Sequence, residues 1–111
     1  MGTNENASGS VEGPLLSEFR DDPDLLELVE YFVEEISNTA EKFRAASQAQ
    51  DLEVLSRLSH QLKGSAGGYG FTPLTDSARV VENAVLAGED FSEIQKNVDE
   101  LIALCHRVAL D

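Results

Sequence analysis

The chain has 111 residues, enough for one domain and one modest core, with 41% apolar and 6% aromatic residues. Eight Lys and Arg stand against 21 Asp and Glu, a net charge of −13, which argues against binding nucleic acid or an anionic membrane surface. A single cysteine, Cys105, rules out an intramolecular disulfide and suits a reducing compartment, so the cytoplasm is the expected setting.

Residues 1–13 are rich in Gly, Ser, Asn and Glu and carry no basic segment followed by an apolar run. They read as a disordered leader rather than a signal peptide or membrane anchor, with one domain expected over residues 14–111. Leu15-Leu16-Ser17-Glu18-Phe19 is a short apolar stretch, expected to form a short extra N-terminal helix capping one end of the domain. Asp22-Pro23 then gives an N-cap followed by proline at the first helical position. Leu25, Leu28, Val29, Phe32, Val33, Ile36, Ala40 and Phe43 recur at three- and four-residue spacing, predicting a long amphipathic helix to about Ser47.

A second helix is expected from near Asp51, with His60 at mid-length, ending by about Phe71 because Thr72-Pro73 repeats the cap-and-proline signal. The third turns Leu74, Ala78, Val81 and Val85 inward and stops at Gly88. Asp90 with Glu93 resembles a capping box, and Phe91, Ile94, Val98, Leu101, Cys105 and Val108 form the last apolar stripe. No segment shows sustained strand-type alternation and no repeat is present. The predicted architecture is therefore all-α, an antiparallel four-helix bundle with the short extra N-terminal helix.

The second helix carries the chemistry, in the run His60-Gln61-Leu62-Lys63-Gly64-Ser65-Ala66-Gly67-Gly68-Tyr69-Gly70-Phe71. At about 100° per residue, Leu55, Leu58, Leu62, Ala66 and Tyr69 fall on the side opposite His60, which therefore faces away from the core. Beside it lie Ser56, Arg57, Lys63, Gly64 and Gly67, with Phe71 on the same meridian if the helix lasts that long. Each glycine inside a helix costs about 0.8–1.0 kcal/mol relative to alanine. Gly64 and Gly67 follow His60 by one and two turns, leaving the surface beside the ring without side chains, so that a partner can approach closely. Lys63 and Arg57 put a cation on either side of the imidazole. An imidazole offers a free lone pair near neutral pH, and two cations beside such a nucleophile suggest a phosphoryl group.

These residues resemble the motif of the histidine-containing phosphotransfer (HPt) domain, His-x-Leu-Lys-Gly followed by small residues and a glycine. His60, Leu62, Lys63, Gly64 and then Gly67, Gly68 and Gly70 fit it; Arg57 lies outside it. The resemblance extends from about Leu15 onward and implies a four-helix bundle whose histidine is reversibly phosphorylated. The domain would then relay the group between aspartates of response-regulator receiver domains, as a phosphocarrier without a kinase domain of its own. His60 is then the phosphorylated nucleophile, Lys63 stabilises phosphoryl oxygens and Gly64 gives steric access. Arg57, Gly67, Gly68 and Phe71 are candidate binding residues, and Leu15, Leu16 and Phe19 candidates for an apolar docking rim. Mg²⁺ would come with the receiver. This chain is expected to need no cofactor or metal, to act as a monomer, and to bind neither nucleic acid nor membrane.

Plainer readings stand beside these. Gly67, Gly68 and Gly70 also suit close helix packing or the end of a helix, and Phe71, Leu15, Leu16 and Phe19 also suit the core. A P-loop is excluded because the lysine precedes the glycine within a helical pattern. With His60 and His106 the only histidines, zinc-ligand spacing is missing. Two rival functions remain open at this level: a phosphoacceptor module of a larger hybrid or chemotaxis-type histidine kinase, and a helical interaction module without chemistry.

Overall fold

The computed structural model describes residues 13–111, and the expected leader, Gly13 apart, lies outside the described residues. Four helices follow the apolar stripes: α1 over Leu26–Gln48, α2 over Leu52–Gly68, α3 over Thr72–Leu86 and α4 over Phe91–Cys105. Each of α1 and α3 packs against both α2 and α4. Joined by short loops, consecutive helices run up and down around one core, a four-helix bundle.

The start of α1 differs in detail from expectation, whereas that of α2 lies where it was expected. Asp22-Pro23 opens a turn, in which Asp22 Oδ1 accepts from the Asp24 amide at 2.9 Å, and α1 begins after it. At α2 the side chain of Asp51 is the cap, accepting from the Val54 amide at 3.2 Å. Val29, Phe32, Ile36, Ala40 and Phe43 of α1 are buried. Leu28 lies one residue round the helix from Val29 and is 51% exposed.

The chain ends of the domain overturn one expectation. In place of a short N-terminal helix, Leu15–Leu16 forms a two-residue strand, β1, paired in parallel with β2, Val108–Ala109, and turns follow from Glu18. Val108 thus leaves the α4 stripe, since the helix stops at Cys105, but it still packs against the core. Pairing between the two ends satisfies backbone groups that a lone helical turn would leave open. Arg107 adds a bond from Nε to the Gly13 carbonyl at 2.7 Å.

Ser17, only 1% exposed, ties this N-terminal segment to the α2–α3 loop. Its Oγ donates to the Tyr69 carbonyl at 2.6 Å and accepts from the Phe19 amide at 2.9 Å, while the Glu18 amide donates to the Gly70 carbonyl at 2.8 Å. Gly70 has φ +86°, and a Cβ there would press on Ser17 Oγ and come within 2.9 Å of the Glu18 amide nitrogen. Gly70→Ala is therefore expected to destabilise the fold by about 2–4 kcal/mol, strain and displaced clasp together. Urea unfolding checks this, and an unchanged midpoint would remove the clasp from the account.

Cys105 is 2% exposed, and burial pushes its thiol up to about 12 from an ordinary 9.0. The folded protein is expected to resist thiol-modifying reagents that label the unfolded chain fully. Because the neutral thiol is favoured by the fold, its contribution is complete below about pH 9 and declines as pH rises toward 12. Rapid labelling under native conditions would contradict this placement.

Candidate functional site

Helix α2 buries Leu55, Ser59, Leu62 and Ala66 and so turns His60 outward, with 69% of its side chain exposed. Ser59 is accommodated in the core because its Oγ donates to the Leu55 carbonyl at 2.8 Å. Across from His60, α3 presents Glu82. One carboxylate oxygen, Oε2, lies 2.9 Å from His60 Nδ1, and the other, Oε1, accepts from Lys63 Nζ at 2.7 Å. One carboxylate thus gathers both motif side chains, three residues apart on the same face.

The Glu82 side chain is 10% exposed. The Lys63 hydrogen bond holds its carboxyl below the ordinary 4.5 against the opposing effect of burial, and the bond from His60 lowers it further. It is therefore ionised at neutral pH. An ionised carboxylate only accepts hydrogen bonds, so Nδ1 carries the ring proton and Nε2 of the neutral imidazole keeps its lone pair.

Glu82 had no place among the sequence candidates, although a signal for it exists. It lies four residues after Ala78 and three before Val85, inside the inward stripe of α3, where a carboxylate requires partners.

The glycines divide by role. A Cβ at Gly64 or Gly68 would meet nothing within 4 Å, so the surface running from His60 toward the end of α2 is bare. Gly67 differs, because a Cβ there would lie 3.2 Å from Thr75 Oγ1, the hydroxyl that donates to the Lys63 carbonyl at 3.1 Å. It lets α3 pack closely on α2 while itself lying on the exposed surface beside Gly68.

Phe71 is the one glycine-run neighbour that the structure moves off the His60 surface. Helix α2 ends at Gly68, and the left-handed Gly70 turns the chain inward, so Phe71 is fully buried and stacks on Phe32 with ring centroids 5.0 Å apart. Leu15 and Phe19 likewise pack against the core rather than standing free as a rim. Exposed apolar surface near His60 comes from other residues. A groove of about 560 Å³ beside the ring is lined by Leu52, Ser56, Arg57 and Val85, with Leu52 42% exposed. Arg57 also borders α1, next to Lys42, so the cations flank His60 on opposite sides, Lys63 toward α3 and Arg57 toward α1.

No group of three or more His, Cys, Asp or Glu among the described residues is placed to hold a metal ion. No helix among them is long and apolar enough to cross a membrane.

A sequence model of the Hpt domain matches residues 27–109, from the start of α1 to β2. The chain belongs to the Hpt domain family. Histidine phosphotransfer in phosphorelays is the general activity of Hpt domains, which act as phosphocarriers and work with receiver domains of response regulators. No match is found among curated proteins or solved structures. The matched region of this Hpt domain contains His60, Lys63, Gly64 and Glu82 but leaves out the Ser17 clasp and β1.

Proposed function

We propose that His60 is the phosphoacceptor of this Hpt domain, taking a phosphoryl group from the aspartate of one receiver domain and passing it to that of another. The observation that supports this most is an outward imidazole whose Nδ1 is engaged by Glu82 at 2.9 Å, with the bare surface of Gly64 beside it.

In the accepting step, the Nε2 lone pair attacks phosphorus of the aspartyl phosphate. The Nε2–P bond forms as the acyl P–O bond breaks, and the electron pair leaves on the receiver's carboxylate. Such transfers depend mainly on positioning and charge neutralisation. Lys63 supplies a cation beside the phosphoryl oxygens, Arg57 a second at the rim, and Mg²⁺ comes with the receiver. Gly64 and Gly68 admit the partner's backbone, while Leu52 and Val85 give it an apolar seat next to the ring. The chain acts as a monomer in the cytoplasm and needs no nucleotide.

The experiment is direct. Wild-type protein is incubated with a panel of phosphorylated receiver domains and followed by intact mass. The expected product is one phosphoryl adduct, labile in acid and stable in base, that returns to a fresh receiver. Stable binding to receivers without any adduct would favour the interaction module instead.

A further inference from the structure

Glu82 does more than tie two helices together, and the reason lies in what happens to charge on the ring. The imidazole form that can attack, with its Nε2 lone pair free, offers Glu82 Oε2 an N–H dipole at 2.9 Å. When the Nε2 lone pair closes the bond to phosphorus, no proton needs to leave Nδ1. The ring then carries a positive charge and the attached phosphoryl group two negative ones. The carboxylate that faced a dipole now faces a cation, while Lys63, held 2.7 Å from the other oxygen, has two further N–H donors for the phosphoryl oxygens. The Lys63–Glu82 pair thus meets the phosphorylated ring with its anion at Nδ1 and its cation on the other oxygen of the same carboxylate. Glu82 itself is only 8% exposed, so little water stands between its carboxylate and the ring.

We propose that the negative charge of Glu82 sets the resting place of the phosphoryl group, favouring phospho-His60 over the phosphorylated aspartate of the receiver. The inference rests on the reading of His60 as phosphoacceptor and concerns the balance of the exchange, which that reading leaves open. Glu82 is here a positioning residue that acts through the ring and never touches phosphorus.

Glu82→Gln tests it, because the amide keeps the shape and its oxygen can still accept from Nδ1, while the charge is lost together with the acceptor for Lys63. With one receiver as partner, the equilibrium ratio of phospho-His60 to phospho-receiver is expected to fall about tenfold, the difference between a hydrogen bond to a charged and to a neutral acceptor. The ¹⁵N spectrum of the unphosphorylated variant should still show the Nδ1–H tautomer. A ratio within about twofold of wild type would overturn the proposal and leave Glu82 a structural tie.

A second arm uses wild type alone, so that folding of the variant does not decide the matter. Phospho-His60 is expected to keep its Nδ1 proton in the ¹⁵N spectrum, and a deprotonated Nδ1 would also overturn the proposal. If wild type formed no phospho-His60 at all, the phosphoacceptor reading would fall first, and this inference with it.

Discussion

His60→Gln is expected to abolish phosphoryl uptake, by at least about a thousandfold, the scale on which removal of a nucleophile acts. The amide offers no comparable lone pair for attack on phosphorus, while its oxygen and nitrogen can still meet the solvent and the Glu82 carboxylate. Since 69% of the His60 side chain is exposed, the fold should lose little, within about 0.5 kcal/mol on the usual scale for surface substitutions. Uptake and urea unfolding measured on the same preparation separate the two effects. Persistent labelling of the folded variant would place the acceptor elsewhere and remove His60 from the account.

Gly64→Gln should act in the opposite way on stability and in the same way on transfer. Its own helix backbone and chain neighbours apart, no atom of the described residues lies within 4 Å of a Cβ built at Gly64, and replacing a helical glycine by a good helix former is worth roughly 0.5–1 kcal/mol. The variant is therefore expected to be slightly more stable than wild type. Its long side chain would nonetheless stand one turn from the imidazole, where a partner's aspartyl phosphate must come within bonding distance. Displacements of about 1 Å in such steps cost on the order of a hundredfold, so transfer should drop by that much or more. A variant that is more stable and transfers normally would show that Gly64 is not there for access.

His60, Lys63 and Gly64 were legible in the sequence because they lie within one helical turn or two, where the 3.6-residue period alone decides what shares a face. The four helices were legible for the same reason, each having an apolar stripe with caps or prolines at its ends. Glu82 was not among the candidates because it meets His60 only through the packing of α3 on α2. Its place within an inward stripe was the one local sign. Phe71 was misplaced by extending α2 three residues beyond its end at Gly68, past the left-handed turn at Gly70, and that turn reverses the side of the chain that faces the core. At the N-terminus, five residues are too few for a period to distinguish helix from strand. The pairing of Leu15–Leu16 with Val108–Ala109 depends on a partner at the far end of the chain.

The aromatics expected at a docking rim are taken up by packing instead. Phe71 and Phe19 are the larger side chains, but the core takes up Phe71 fully and has Phe19 packed against it. What remains beside the imidazole is smaller and comes from two helices, Leu52 of α2 and Val85 of α3, with Arg57 at the edge. A surface made jointly by two helices has no signature in either one taken alone.

The central claim is that Nε2 of His60 carries the phosphoryl group while Nδ1 stays with Glu82. Wild-type protein labelled with ¹⁵N in its histidines and phosphorylated by a receiver domain tests this most directly, with the ³¹P–¹⁵N coupling read by NMR. One phosphorus coupled to Nε2 of His60 is expected, absent from His60→Gln. Coupling to Nδ1, or a phosphoryl group on His106 or on a non-histidine residue, would contradict it.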